Sequence, residues 1–127
     1  MRGLFSDLTI DVLAKSLDAS GLRHRVIADN IANVETPGFA RSDVSFCEEL
    51  ERALASTDAD AAGRMVNDIE ASVYADLSSP ARSDGNNVCI DKEMAELVKN
   101  STDYEVFVRL LNFKFAMLNA AMMEGKR

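Results

Sequence analysis

The sequence predicts a mainly α protein. A long N-terminal helix over residues 8–34 and a long C-terminal helix over 91–123 are expected to form an antiparallel, coiled-coil-like pair. An irregular acidic connector over 35–90, with a short extended stretch and short helices, joins them. Three observations carry this expectation: apolar residues recur in alternating steps of three and four near both ends, a Pro-Gly stop closes the first such run, and carboxylates gather between the two. A chain of 127 residues buries roughly two thirds of its unfolded surface, enough for one core, so 1–127 reads as a single domain.

The first run is Ile10, Leu13, Leu17, Ser20, His24, Ile27, Ile31 and Val34, apolar except at Ser20 and His24. That spacing keeps one seam of a helix facing a partner. A second line, Leu8, Val12, Ala19, Leu22 and Val26, follows the same rhythm on an adjacent face. The helix cannot pass Pro37, which lacks an amide hydrogen and drives the preceding residue out of helical geometry. Pro37 followed by Gly38 suits a type II turn.

Beyond the turn, Phe39, Val44 and Phe46 mark a short extended stretch, and the run from Cys47 to Ser56 reads as about two turns of helix. Residues 56–87 mix acids, small residues, Pro80, Gly63 and Gly85, with one modestly amphipathic patch from Met65 to Leu77. The expectation there is loop with one short helix. Asp84 to Asn87 supplies turn chemistry, and Asp91 stands where an N-cap is wanted, with Glu93 in the first turn that follows.

The last helix carries Met94, Leu97, Ser101, Tyr104, Val108, Leu111, Phe115, Leu118 and Met122 in steps of four and three. Val106, Leu110, Phe113, Met117 and Ala120 run beside them, so the final turns are apolar around much of their circumference. Pairing the two long helices would leave second seams open, and the connector offers few large apolar side chains to close them. Other subunits are the expected cover. A connector of this length could equally return the chain for a parallel pairing.

Composition excludes several functions. The formal charge is −7, with about −7 in residues 41–93 against about −1 before them and about +1 after them, which disfavours nucleic acid and anionic membranes. The start lacks the apolar run of a signal peptide, and nowhere do about 18 consecutive apolar residues mark a membrane span. There is one histidine, no tryptophan, no phosphate loop and no ligand cluster at metal spacing, so neither an enzyme nor a cofactor or small-molecule site is expected. His24 on a helical seam is an interface or packing residue before it is a base. Cys47 and Cys89 read as unpaired thiols, with a single disulfide the minor alternative. The carboxylates of the connector read as a solvated face.

One string asks for more than a helix stop. Two amides one turn apart near a helix end can bond the backbone groups that the following turn exposes, yet a stop alone does not need both Asn30 and Asn33 in DNIANVETPGF. Ala28, Asn30, Ile31, Ala32, Asn33, Thr36, Pro37, Gly38 and Phe39 match a pattern that resembles the signature of bacterial flagellar rod and hook proteins. The later SDGNNVCIDKEM and the long helix with Tyr104 resemble the proximal rod (FlgB) type. Cys89 departs from that pattern, as does the connector from about residue 55 to 80, where no side-chain role carries over.

The resemblance implies a subunit made in the cytoplasm and exported by the flagellar type III apparatus without a cleaved signal. It would then be built into the rod of the basal body that spans the periplasm. Implied partners are further copies, other rod proteins, the rod-base adaptor, the export gate and the surrounding basal-body rings. The assembly seams expected from the periodicity are Ile10, Leu13, Leu17, Ile27, Ile31, Met94, Leu97, Tyr104, Val108, Leu111, Phe115, Leu118 and Met122. The competing expectation is a soluble helical adaptor or secretion chaperone that grips a partner helix.

Overall fold

A computed structural model describes residues 7–126; residues 1–6, part of the start read against a signal peptide, and residue 127 lie outside the described residues. The elements are α1 (Leu8–Ala32), β1 (Ser42–Ser45), α2 (Cys47–Leu54), α3 (Ala59–Asp68), β2 (Ser72–Ala75) and α4 (Ile90–Glu124). The protein is mainly helical, dominated by the two long helices near its ends.

Asp7 caps α1: its carboxylate accepts the Thr9 amide at 2.9 Å. The helix stops at Ala32, two residues short of the expected 34, because Asn33 leaves helical geometry at φ −103° and ψ 14° and the Val34 amide bonds the Ile31 carbonyl, three residues back. Residues Thr36 to Phe39 then form a turn closed by the Phe39 amide on the Thr36 carbonyl at 3.3 Å. Gly38 takes φ 73°, the left-handed geometry that the third residue of a type II turn requires.

β1 and β2 form a two-stranded antiparallel ribbon, with Ser42 opposite Ala75 and Ser45 opposite Ser72. β2 is not foreseen in the sequence, because all four of its residues are exposed and no alternation marks a buried face. The ladder to β1 holds it. α2 falls where a two-turn helix is expected. α3 lies earlier than the Met65–Leu77 patch: Asp58 caps it by accepting the Asp60 amide at 3.0 Å, and Ile69 turns extended at ψ 127°, splitting the patch between helix and ribbon.

The start of α4 corrects a second expectation. Its N-cap is Cys89, without a side-chain cap bond, and Asp91 lies inside the first turn with Glu93. The Glu93 amide closes that turn onto the Cys89 carbonyl at 3.0 Å, and the two acids there still meet the positive end of the helix dipole.

The connector also covers more than expected. Phe46, Ala53, Val66 and Ile69 form a buried cluster with Ala19 of α1, with Leu8, Val12 and Leu50 packed against it. The first part of the second face of α1, Leu8, Val12 and Ala19, is therefore covered within the subunit by α2 and α3. No such cover reaches α4, whose large apolar side chains are mostly exposed. By length and composition α4 is apolar enough to cross a membrane, and none of its most apolar window of 18 residues is buried within the subunit. Charges interrupting the run hid this from a search for consecutive apolar residues. Both thiols, Cys47 and Cys89, are free and exposed.

Candidate functional site

Two features stand out: a polar junction where α1, the turn, the ribbon and α4 meet, and the uncovered faces of α4. At the junction Asn30 is fully buried. Its Oδ1 accepts the Ser42 amide at 3.0 Å, and its Nδ2 donates to the Ser42 carbonyl at 2.8 Å and to Glu93 Oε2 at 3.0 Å. One side chain thus joins α1 to the start of β1 and to the first turn of α4. Asn33 works locally, donating to the Asp29 carbonyl at 2.8 Å and accepting from the Thr36 hydroxyl at 3.2 Å. The first adds a second donor to the Asp29 carbonyl, which also accepts the Asn33 amide, and the second ties the helix end to the turn.

From the other side of the chain, Asn86, also fully buried, donates through Nδ2 to the carbonyls of Asn33, Val34 and Thr36 at 2.9, 3.2 and 2.8 Å. Arg82 adds a bond to the Val34 carbonyl. The Gly38 amide donates to the Asp84 carbonyl at 2.8 Å, and Gly85, at φ 85°, lies so close that a Cβ there would stand 3.4 Å from Gly38 Cα. Ala28, Ala32, Thr36 and Pro37 remain exposed, while Ile31 and Phe39 are half-buried.

Arg41 fills the centre. Its guanidinium contacts Glu93 at 2.5 Å, Asp76 at 2.6 Å and Asp43 at 3.0 Å. Asn87 accepts the Arg41 amide at 2.6 Å and donates to the Asp76 carbonyl at 2.7 Å. Burial alone would push the Arg41 pKa down, but the hydrogen bonds it donates to Glu93 and Asp43 and their charges carry it up. Asp76 is held below the usual Asp value of 3.8 by its bonds with Ser78, aided by Arg41. Asp7, bonded to Lys114 and then to the Thr9 amide, is held low as well.

These depressed values give stability a direction with pH. The unfolded chain binds the proton first, so the stabilisation is complete above the unfolded value and drains as pH falls through the lower folded values. The urea midpoint is expected to drop between about pH 5 and about pH 2, and Asp76→Asn is expected to flatten that slope. Parallel urea titrations of both proteins across that range check this.

Among the described residues, three polar contacts join α1 and its cap to α4. Asp7 meets Lys114 at 2.6 Å. The Ser20 hydroxyl donates to Asn100 Oδ1 at 3.0 Å while Asn100 Nδ2 returns a bond to the Ser20 carbonyl at 3.0 Å. Asn30 meets Glu93. Glu93, Asn100 and Lys114 stand at multiples of seven residues along α4, with half-buried Phe107 in the remaining place. Polar groups at such positions specify register. The face of α4 turned to α1 is therefore marked by polar groups, and the large exposed side chains of α4 lie elsewhere on its circumference.

That arrangement sorts the seam residues. Leu13 and Ile27 are buried inside the subunit, unavailable to a neighbour. Ile10, Leu17, Ile31, Leu97, Val108, Leu111 and Leu118 are half-buried. Met94, Tyr104, Phe115 and Met122 are exposed, together with Val106, Leu110, Phe113 and Met117 from the adjacent line. His24 is exposed on the groove between α1 and α4.

Arg41 escaped sequence reasoning as a site residue because its partners are remote in sequence, and Glu93, Asn100 and Lys114 because only apolar residues were followed along α4. The signal that could have found the three residues of α4 is the repeat of seven itself, applied to polar as well as apolar residues.

No protein-family model matches the chain. Individual proteins do. Over 127 aligned residues it is 38% identical to the flagellar basal body rod protein FlgB of Borrelia hermsii, covering 89% of this chain and 94% of that one. Identity to FlgB of Bacillus subtilis (strain 168) is 34%, over 97% of this chain and 98% of the relative. The Escherichia coli (strain K12) protein of the same name is 25% identical over 94% and 96%.

Proposed function

This chain belongs to the FlgB family of flagellar basal body rod proteins, and we propose that it joins the rod by burying the exposed faces of α4 against neighbouring copies and other rod proteins. It is a structural subunit of the bacterial flagellar basal-body rod. The single observation that carries the assembly reading is the large set of exposed apolar side chains on α4, from Met94 through Tyr104, Leu110 and Phe113 to Met123. Single exposed hydrophobics are ordinary, but a contiguous set marks an interaction surface.

Within each subunit the two long helices run antiparallel. This reading is supported by the order of their contacts: Asp7, Ser20 and Asn30 rise along α1 as Lys114, Asn100 and Glu93 fall along α4. The signature residues Asn30, Asn33, Thr36 and Gly38 act as a joint that fixes the turn between the stem and the ribbon. The acidic connector remains at the solvated outside or faces the surrounding rings.

The subunit is made in the cytoplasm, passes the flagellar type III apparatus without a cleaved signal, and takes its place in the periplasm beside the rod-base adaptor and the export gate. Its work is mechanical, with no reaction to catalyse: close-packed side chains transmit strain with little compression. The test is light scattering and circular dichroism of the full chain across a concentration series. Growth in mass with concentration supports a rod subunit, whereas a constant, fully helical dimer favours the adaptor reading.

A further inference from the structure

Methionine is among the side chains most often buried in folded proteins, yet every methionine among the described residues, Met65, Met94, Met117, Met122 and Met123, is exposed. Four of them stand on α4, and Met117, Met122 and Met123 crowd its C-terminal end. The other, Met65 of α3, lines a separate groove with Glu49, Arg52 and Asp68. Met65 and Met117 are equally exposed, at 44% each, so solvent in the free subunit reaches both alike.

We propose that the thioethers of Met94, Met117, Met122 and Met123 are sites of reversible oxidation by peroxides, and that their oxidation bars the free subunit from assembly. The proposal rests on the rod-subunit reading above, in which the exposed faces of α4 become covered. The sulfur lone pair attacks one peroxide oxygen, and the S–O bond forms as the O–O bond breaks. The displaced oxygen takes the proton of the transferred one and leaves as water. Sulfur loses two electrons and the peroxide gains them.

The product, methionine sulfoxide, is polar and chiral where the thioether was apolar and pliant. On the exposed surface of a lone helix the new oxygen stays hydrated, so the fold is kept. Covered by an apolar neighbour, it loses that water without gaining a donor, and the cost falls on assembly alone. Met65 oxidises as readily but lies off α4, and its sulfoxide stays solvated. Position and not exposure decides the effect. Once α4 is covered its sulfurs are out of reach, so oxidation acts before a subunit is built in.

The experiment uses the full chain with Cys47→Ser and Cys89→Ser, because both thiols are free and exposed and would also consume peroxide. After treatment with hydrogen peroxide, peptide mass spectrometry locates the sulfoxides. The oxidised protein should keep its circular dichroism spectrum, while the concentration needed for assembly rises at least about tenfold. Methionine sulfoxide reductases of both epimer specificities should restore assembly. A variant with leucine at 94, 117, 122 and 123 should assemble after peroxide even though Met65 is oxidised, whereas Met65→Leu should give no protection. In protein assembled first and treated afterwards, Met65 should oxidise at its free rate and the α4 methionines at least about tenfold more slowly.

Undiminished assembly of the oxidised, helical subunit overturns the proposal. So does a loss of helicity on oxidation, which would place these sulfurs in the subunit's own packing, and so does equal oxidation of α4 before and after assembly. If the unaltered, untreated chain stays monomeric at every concentration, the rod-subunit reading itself fails and the proposal falls with it.

Discussion

Replacing Arg41 with methionine is expected to cost about 3–5 kcal/mol of folding stability, because it leaves buried Glu93 without a countercharge. The side chain of Glu93 has no exposed surface, and Asp43 and Asp76 converge on the same guanidinium. Removing that cation turns three attractive contacts into mutual repulsion. A loss of this size is a large fraction of the roughly 5–15 kcal/mol that holds a domain of ordinary stability.

The urea midpoint followed by circular dichroism measures the effect. Adding Glu93→Gln to the variant should recover part of the loss, since a neutral amide can still accept from Asn30 without a buried charge. A midpoint unchanged by Arg41→Met would mean that water supports these carboxylates unaided and that the junction is not held by charge.

Changing Leu110 to aspartate is expected to raise the concentration required for assembly about a hundredfold or more, with the monomer's helicity unchanged. Leu110 is 49% exposed, so a carboxylate there remains solvated in the free subunit and is penalised only when a neighbour covers it. Every 1.4 kcal/mol is about tenfold in affinity, and an unpaired buried charge costs several times that. Leu111→Asp makes the comparison: Leu111 is half-buried, so that variant should lose monomer helicity as well. Sedimentation velocity with parallel circular dichroism separates the two. Normal assembly by Leu110→Asp would remove this face of α4 from the interface.

The two long helices were legible because each is long enough for its apolar spacing to repeat several times, and Pro37 with Gly38 marks a stop that side-chain context cannot override. The short elements were not. β2 has no buried side chain, so its existence depends on a partner strand remote in sequence. α3 buries the small residues Ala62 and Gly63, whose burial follows from close approach to a neighbour and not from hydrophobic size.

The site divides in the same way. The local bonds of Asn33 could be guessed from its place at a helix end. The roles of Asn30 and Asn86 could not, since their partners Glu93 and the Asn33–Thr36 carbonyls lie fifty or more residues away. Heptad analysis found the apolar lines of α4 but assigned no role to the polar line between α4 and α1. Burial of polar groups is governed by whether partners exist, which composition does not report.

The ribbon has a consequence for what the family architecture can carry. Ser45 and Ser72 face each other, their hydroxyl oxygens 2.7 Å apart, so the chain leaves the ribbon and re-enters it at the same place. Whatever lies between is a closed excursion through a narrow neck, and the entropy of closing it grows only slowly with its length. The excursion could be exchanged for a larger insert without altering the spacing of the stem. Its replacement would need only to supply an apolar patch in place of Phe46, Val66 and Ile69, where Val12 and Ala19 await a cover. The neck makes the intervening segment a graft site, at which rods of different girth could be built on one unaltered stem.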